Sequence, residues 1–319
     1  MKFAGALMLL CALVFQTADV EARAKLGVYK GAGCDGVQGL AKFSDWLGFQ
    51  PEQTLEFISW KVLSAGTTWG LGCWKRGGQK DVVFSLPMLP DDGSAQLADG
   101  AAGKFDELYR RYAAKLVQFG FGHAVVRIGW EFNGNWYPWA AARDPQSYIA
   151  YWRRIANTMR SVPGANFRFD WCMAGGWTAF LPEQAYPGDD VVDIIGMDFY
   201  NVSIDPKAVT PEQRWASRMN TRRGLRWHRD FATRHGKPMS YPEWGTGLKP
   251  DGSGGGDDAY FVEQMAQWIR DNNVAYHNYW DSSTGVNARL SDNRQPRAGE
   301  AYKRVFRRSN PPHLERPGT

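Results

Sequence analysis

The sequence predicts an α/β fold, a single (β/α)8 barrel of the TIM type. Eight short runs rich in β-branched and aromatic residues recur along the chain, and segments with helical spacing separate them. Because parallel strands joined by helices form one sheet, eight such units indicate a closed barrel. The chain has 319 residues, 44% of them hydrophobic, which is enough for one large core.

The predicted strands are short, apolar and bounded by glycine, proline or polar residues. They cover residues 26–30, 56–60, 81–86, 124–132, 167–173, 191–201, 238–244 and 275–281. The segments between them repeat apolar residues every three or four positions, which is typical of a helix that packs one face on a sheet. After the fourth strand, Asp144 is a predicted helix N-cap and Pro145 the first helical residue.

The two ends of the chain differ in composition from the predicted barrel, which we place at residues 25–308. Lys2 followed by an apolar run too short to span a bilayer predicts a cleaved signal peptide over residues 1–22. Residues 309–319 are rich in proline and are predicted to form a loose tail. We therefore expect an exported protein, secreted or periplasmic, without stable membrane insertion.

Three cysteines are left once the signal peptide, which contains Cys11, is removed. Cys34 and Cys73 follow the first and second predicted strands in glycine-rich sequence, and consecutive strands are neighbours in a barrel. We expect these two cysteines to form a disulfide. Cys172 ends the fifth predicted strand and is expected to be a small buried residue.

The formal charge of +5 at pH 7 is modest and spread along the chain. Nucleic-acid binding would need a basic face interleaved with aromatic residues on one element. The nearest candidate, TRRGLRWHR at residues 221–229, fits the solvated face of a helix better. We expect no nucleic-acid partner, although a mildly basic exported protein can meet acidic polysaccharide or lipid headgroups.

Acidic residues at the carboxyl ends of the strands are the candidate catalytic groups, because active sites of (β/α)8 barrels lie at that face. By position the candidates are Glu131, Asp170, Asp198, Glu243 and Asp281. Two of them, Glu131 and Glu243, each follow an apolar strand and precede aromatic and glycine residues, in WEFNGNW and PEWGTG. One such glutamate alone would more often form a salt bridge, but the pair favours catalysis.

Two carboxyl groups on opposite sides of a barrel mouth suit glycoside hydrolysis, in which one donates a proton to the leaving oxygen and the other is ionised. Strands four and seven lie across the barrel from each other, so Glu131 and Glu243 can face one substrate. Retention needs carboxyl groups about 5–5.5 Å apart and inversion about 6.5–9.5 Å. The residues alone leave both mechanisms open.

Four segments carry a family resemblance in shared order and spacing. They are RIGWEFNGNW at residues 127–136, SYIAYWRRIANTMR at 147–160, YPGDDVVDIIGMDFYN at 186–201 and GKPMSYPEWG at 236–245. Together they resemble glycoside hydrolase family 26, whose members are retaining, endo-acting barrel enzymes such as β-mannanases. The resemblance implies double-displacement hydrolysis of a β-linked polysaccharide, of mannan type or a related β-glycan.

The resemblance also implies residue roles. Glu131 would be the general acid/base and Glu243 the nucleophile, with Tyr200 hydrogen-bonded to Glu243. These roles are consistent physically, because a dry cleft beside Trp130 and Trp136 would raise the pKa of Glu131. Tyr200 or Arg127, the latter predicted as structural support, would keep Glu243 ionised.

The sequence departs from the family pattern at Trp130, which stands where the family has histidine. An indole stacks and donates one hydrogen bond, but it neither titrates nor accepts one. The fifth strand, FDWCMAGGW, also lacks the usual residues. We therefore expect the sugar contacts nearest the scissile bond to differ from those of the family, which leaves sugar identity and linkage open.

The expected substrate-binding residues are mainly aromatic, since pyranose faces pack on indole rings as other apolar surfaces do. For Trp171 a place in the core is an equal alternative, and for Asp198 contact with Arg127 is the stronger one. Trp177 is a further candidate platform. The set is Trp130, Asn135, Trp136, Trp139, Trp171, Asp198, Tyr200, Trp244 and Trp280.

Other classes of site have little support in the sequence. The five histidines are scattered without a metal-binding spacing, and no phosphate loop or dinucleotide fingerprint occurs, so we expect no metal and no cofactor. A monomer acting on a polysaccharide or oligosaccharide is expected. Two alternatives are a barrel glycosidase for an unusual exopolysaccharide linkage and a polysaccharide-binding barrel without catalysis.

Overall fold

The computed structural model describes residues 23–202 and 207–307. Eight parallel strands form a closed barrel in which each strand pairs with its sequence neighbours and the last pairs with the first. The strands are β1 (Lys25–Tyr29), β2 (Gln53–Phe57), β3 (Asp81–Leu86), β4 (Val125–Ile128), β5 (Arg168–Ala174), β6 (Ile194–Tyr200), β7 (Met239–Gly245) and β8 (Val274–Trp280). The predicted (β/α)8 fold is confirmed.

Helices connect the strands and cover the outside of the barrel. They are α1 (Gly33–Leu47), α2 (Trp60–Ala65), α3 (Trp69–Arg76), α4 (Leu97–Ala101), α5 (Asp106–Gln118), α6 (Pro145–Arg160), α7 (Pro211–Asn220), α8 (Leu225–Arg234), α9 (Ala259–Asp271) and α10 (Pro296–Phe306). The helix predicted after the fourth strand begins as expected, with the Asp144 side chain accepting from the backbone N–H of Ser147 and Pro145 in its first position.

β6 begins three residues later than predicted and most other strands shift by one residue, whereas β2 and β4 differ more for local reasons. β2 lies three residues earlier than predicted, because Ser59 caps α2 and Trp60 is that helix's first residue. β4 ends at Ile128 and does not continue to residue 132, because Gly129 and Glu131 adopt positive φ angles of 53° and 51°. The left-handed region is incompatible with an extended ladder.

Side-chain alternation along the strands separates the core into two parts. Outward-facing side chains pack against the helices, as the buried Trp171 and Trp244 do. Inward-facing side chains include a polar group at the barrel's centre, where Asp170 Oδ2 accepts hydrogen bonds from Ser240 Oγ at 2.5 Å and from the Tyr276 hydroxyl. Asp170, considered as a candidate acid, is thereby tied into the interior and does not line the cleft described below.

A disulfide joins Cys34 to Cys73, with their Cα atoms 5.0 Å apart. Both cysteines lie inside helices, α1 and α3, and not in the loops that the sequence predicts. Cys172 is buried and free in β5. The bridge ties the helix after β1 to a helix after β2 on the outside of the barrel.

The predicted signal peptide at residues 1–22 and the predicted tail at 309–319 lie outside the described residues. Within residues 23–202 and 207–307, no helix combines the length and apolarity needed to cross a membrane. The first described strand begins at Lys25 and the last described helix ends at Phe306.

Candidate active site

A cleft of about 750 Å³ opens at the carboxyl ends of the strands. Its lining combines three acidic side chains, two basic ones and a ring of aromatic ones. Glu131 and Glu243 both line it, which brings together the two carboxyl groups that the sequence singles out. Asp198 and Tyr200, from the end of β6, lie in the same cleft.

Glu131 lies just beyond β4 in a left-handed conformation, φ 51°, that a non-glycine residue seldom adopts. Its backbone N–H donates to the Cys172 carbonyl at 2.9 Å, and its Oε2 accepts from Trp136 Nε1 at 2.8 Å. Burial, with a further contribution from the negative charge of Glu243, raises the pKa of Glu131 to about 7. This carboxyl group is therefore able to carry a proton near neutral pH.

Glu243 lies two residues before the end of β7, and its side chain lines the cleft. It is 7% exposed. Arg127 Nη2 donates to its Oε1 at 2.9 Å, and the Tyr200 hydroxyl donates to its Oε2 at 2.8 Å. Burial and the nearby Glu243 raise the pKa of Tyr200 well above its usual range, so its hydroxyl stays a donor. Both oxygens of Glu243 therefore accept a hydrogen bond, one of them from a cation.

Beneath the cleft, Arg127 on β4 forms hydrogen bonds with side chains on three other strands, β3, β6 and β7. The fully buried guanidinium donates from Nη2 to Asp198 Oδ2 at 2.5 Å as well as to Glu243, and from Nη1 to Ser85 Oγ at 3.2 Å. A shared cation holds the two carboxylates together, which burial alone would disfavour. Asp198 thus contacts Arg127, the stronger of the two alternatives stated for it above.

Aromatic side chains form the walls of the cleft. Trp280 stacks on Tyr29 with ring centroids 4.3 Å apart, and Trp130 meets Phe57 edge to face at 5.2 Å. Trp136 and Trp177 present 53% and 64% of their surface to solvent. Rings exposed to this extent offer faces on which a sugar can stack.

Four of the predicted substrate-binding residues lie outside the cleft lining. Trp139, Trp171 and Trp244 are at most 2% exposed, and Asn135 is exposed but does not line the cleft. Strand alternation explains two of them. Because Asp170 and Glu243 face inward, their successors Trp171 and Trp244 face the helices.

Trp139 instead supports the cleft wall from behind. Its Nε1 donates to the Trp130 carbonyl at 2.8 Å, and its ring stacks on Tyr137 at 4.6 Å. Trp130 Nε1 in turn donates to the Tyr137 hydroxyl at 2.9 Å. The single N–H donor of Trp130, the residue at the position of the family histidine, is therefore hydrogen-bonded to a neighbouring side chain.

Sequence reasoning missed several cleft residues, namely Tyr29, Phe57, Tyr137, Arg218 and Lys249. Tyr29 and Phe57 end β1 and β2, so their positions on strand ends were an available signal. It also missed Asn133, whose amide joins the loop after β4 to Ala174 on β5 through bonds of 2.8 and 2.9 Å.

Asp281, the last of the candidate acids, has a structural role. Its carboxylate pairs with Lys30 Nζ at 2.5 Å and accepts from the backbone N–H of Ser291 at 3.2 Å. Within the described residues, no group of three or more histidine, cysteine, aspartate or glutamate side chains could hold a metal ion.

Comparison with known proteins adds to this geometry. Residues 123–213 match the model of glycosyl hydrolase family 26, a stretch that holds Glu131, Asp198 and Tyr200. Over these residues the chain is similar to that family. The predicted resemblance is confirmed.

One curated protein is similar to about half of this chain. Endoglucanase H of Acetivibrio thermocellus is 32% identical over 181 residues, which are 50% of this chain and 20% of that protein. The chain thus matches about one fifth of the length of this relative.

Solved family 26 structures have the same barrel. The catalytic domain of an endo-β-1,4-mannanase from Bacillus sp. JAMB-750 superposes with a TM-score of 0.60 at 17% identity, over 89% of this chain and 87% of its own. The β-mannanase BoMan26A of Bacteroides ovatus gives 0.60 at 16% identity, over 89% and 87%. At such identities the likeness shows the fold alone.

Proposed function

We propose that the chain is an exported retaining glycoside hydrolase that cleaves a β-linked polysaccharide, of mannan type or a related β-glycan, by double displacement. The observation that best supports the proposal is the opposite environment of two carboxyl groups in one cleft. Burial favours the protonated form of Glu131, whereas Arg127 and Tyr200 donate to both oxygens of Glu243. One acid and one carboxylate are what this reaction needs.

In the proposed first step, Glu243 attacks the anomeric carbon while Glu131 gives its proton to the departing glycosidic oxygen. The carbon–oxygen bond to the leaving sugar breaks, and a glycosyl ester forms on Glu243. In the second step, Glu131, now ionised, takes a proton from water as the water attacks the same carbon. The ester bond breaks, Glu243 leaves as a carboxylate, and the sugar retains its configuration.

An unusual linkage is the second candidate within this enzyme class. It is favoured by the Trp130–Tyr137 hydrogen bond, which takes up the only donor of the residue that replaces the family histidine. A sugar bound there would meet the ring face or edge of an indole. A hydroxyl that needs an acceptor at this point would not find one.

A covalent trap tests the proposal. In a 2-fluoro glycosyl fluoride of the gluco or manno series, the 2-fluorine slows both steps, while the departing fluoride, a good leaving group, restores only the first, so the ester accumulates. We expect peptide mass spectrometry to find the adduct on Glu243, and the Glu243→Gln variant, as the matched control, to stay unlabelled. Absence of an adduct with either sugar would instead favour the polysaccharide-binding alternative.

The pKa of Glu131 predicts how activity depends on pH. Since the acid form of a group with pKa about 7 is lost as pH rises, we expect kcat/KM on a polysaccharide to fall about tenfold per pH unit above that value. A buffered rate series from pH 5 to 9 (roughly the range a raised carboxyl spans) measures this. A flat alkaline limb would contradict the assignment of Glu131.

A further inference from the structure

Arg218 is a buried cation in the cleft that has no counterion among the described residues. It lies on α7, is 4% exposed and lines the cleft, where its guanidinium lies next to Gly176. Among the described residues, no carboxylate forms an ion pair with it and no atom accepts a hydrogen bond from it, and its buried Nε has no partner. Its guanidinium contacts the ring of Phe199, whose centroid lies 4.6 Å from the guanidinium carbon.

Three other buried or partly buried arginines of the described chain, in contrast, have hydrogen-bond or ion-pair partners. Arg127 pairs with two carboxylates, and Arg223 Nε donates to the Gly176 carbonyl at 3.2 Å. Arg214 pairs with Asp258 at 2.7 Å. Burying a charge is costly unless a partner compensates it, and one aromatic ring compensates it only in part. An unpaired guanidinium at a cleft wall is therefore suited to an anion that arrives with the ligand.

Burial lowers the pKa of Arg218 to about 10, which still leaves it charged at neutral pH. No carboxylate of the described residues opposes that shift. Lys249, which pairs with Asp251 at 3.7 Å, lines the same cleft and adds a second positive charge. With Glu131 protonated, three cations, Arg127 beneath the cleft and Arg218 and Lys249 in its lining, face two carboxylates, Asp198 and Glu243.

Taking the proposed hydrolysis as its basis, we propose that Arg218 binds the carboxylate of a uronic acid unit, so that the preferred substrate is an acidic β-glycan. A planar carboxylate matches the two parallel N–H groups of a guanidinium. The exposed ring of Trp177, which lines the same cleft and follows Gly176 in the chain, offers a stacking surface for the pyranose that carries this carboxylate. The charge and the ring together form a subsite for one uronate residue.

Matched ligands isolate the contribution of the carboxylate. The probes are β-1,4-linked hexamers of mannuronate and of glucuronate, each compared with the neutral hexamer obtained by reducing its carboxyl groups. Calorimetry with the full chain carrying Glu131→Gln measures binding without turnover. In at least one pair we expect the acidic hexamer to bind about tenfold more tightly, the usual scale of a charge-assisted bidentate contact. Equal affinities in both pairs would overturn the proposal.

Variants locate the effect. In the same background, Arg218→Met should bring the two affinities to within about twofold, whereas Arg222→Met, which removes an exposed arginine outside the cleft, should leave the preference intact. Trp177→Ala should weaken acidic and neutral hexamers alike. If Arg218→Met does not fold, a crystal structure of the Glu131→Gln protein with the acidic hexamer decides. A carboxylate within hydrogen-bond distance of Arg218 supports the proposal, and its location elsewhere overturns it.

The experiments distinguish failure of the uronate subsite from failure of the proposed hydrolysis. Cleavage of neutral polymers with no preference for acidic ones would overturn the uronate subsite and leave the glycosidase proposal standing. An Arg218-dependent preference in binding, together with no cleavage and no adduct on Glu243, would support the subsite and overturn the glycosidase proposal.

Discussion

Replacement of Glu243 by glutamine is expected to lower kcat by about 10⁴-fold or more on every substrate, because an amide cannot form the glycosyl ester. The amide keeps the size of the carboxylate, and Asp198 still pairs with Arg127 at 2.5 Å. The fold should therefore survive while the reaction stops. Steady-state rates on a polysaccharide and on an aryl glycoside, with thermal unfolding as a check on folding, measure both effects.

Glu212→Gln is the matched control for this substitution. Glu212 is exposed on α7 and does not line the cleft, so the same chemical change there should leave kcat unaltered. A Glu243→Gln enzyme that keeps a tenth of the wild-type rate would show that this carboxylate is not the nucleophile.

The Glu131→Ala variant is expected to separate substrates by the quality of their leaving groups. On a polysaccharide, whose leaving oxygen must be protonated, we expect a loss of about 10²–10⁴-fold in kcat/KM. An aryl glycoside with an acidic phenol needs no such proton, so ester formation should proceed at nearly the wild-type rate. Hydrolysis of the ester should then become rate-limiting, because no base activates water.

Pre-steady-state release of the phenol measures this difference as a burst followed by a slow phase. Added azide, a nucleophile that needs no general base, should restore turnover and give a glycosyl azide of retained configuration. Equal losses on both substrates, or no rescue by azide, would contradict an acid/base role for Glu131.

The two glutamates were identifiable from the sequence because catalytic position in a barrel follows from strand order. Each comes at or just beyond a strand's carboxyl end, before aromatic and glycine residues, and neither observation needs a long-range contact. The sequence correctly places Glu131 at the carboxyl-end face of the barrel, but it does not predict its backbone conformation. The sequence predicts an extended residue, whereas Glu131 turns out of the ladder at a φ of 51°.

The aromatic residues were harder, because composition does not say which face of a strand a ring occupies. Trp280 faces the cleft, whereas Trp244, next to a cleft glutamate, packs against Tyr279 at 4.9 Å and donates from Nε1 to His277. The period of two along β7 excludes Glu243 and Trp244 from the same face. That signal was present and unused.

By itself, the sequence determined the eight strands and their order, the two candidate carboxyl groups and the family resemblance, since each is written in local pattern. Only the tertiary structure decided which charged side chains pair with each other. Arg127 meets Asp198 and Glu243 from 71 and 116 residues away, while Arg218 finds no carboxylate in the described chain. Pairing depends on where the barrel closure places side chains that are distant in sequence, and no local pattern records that placement.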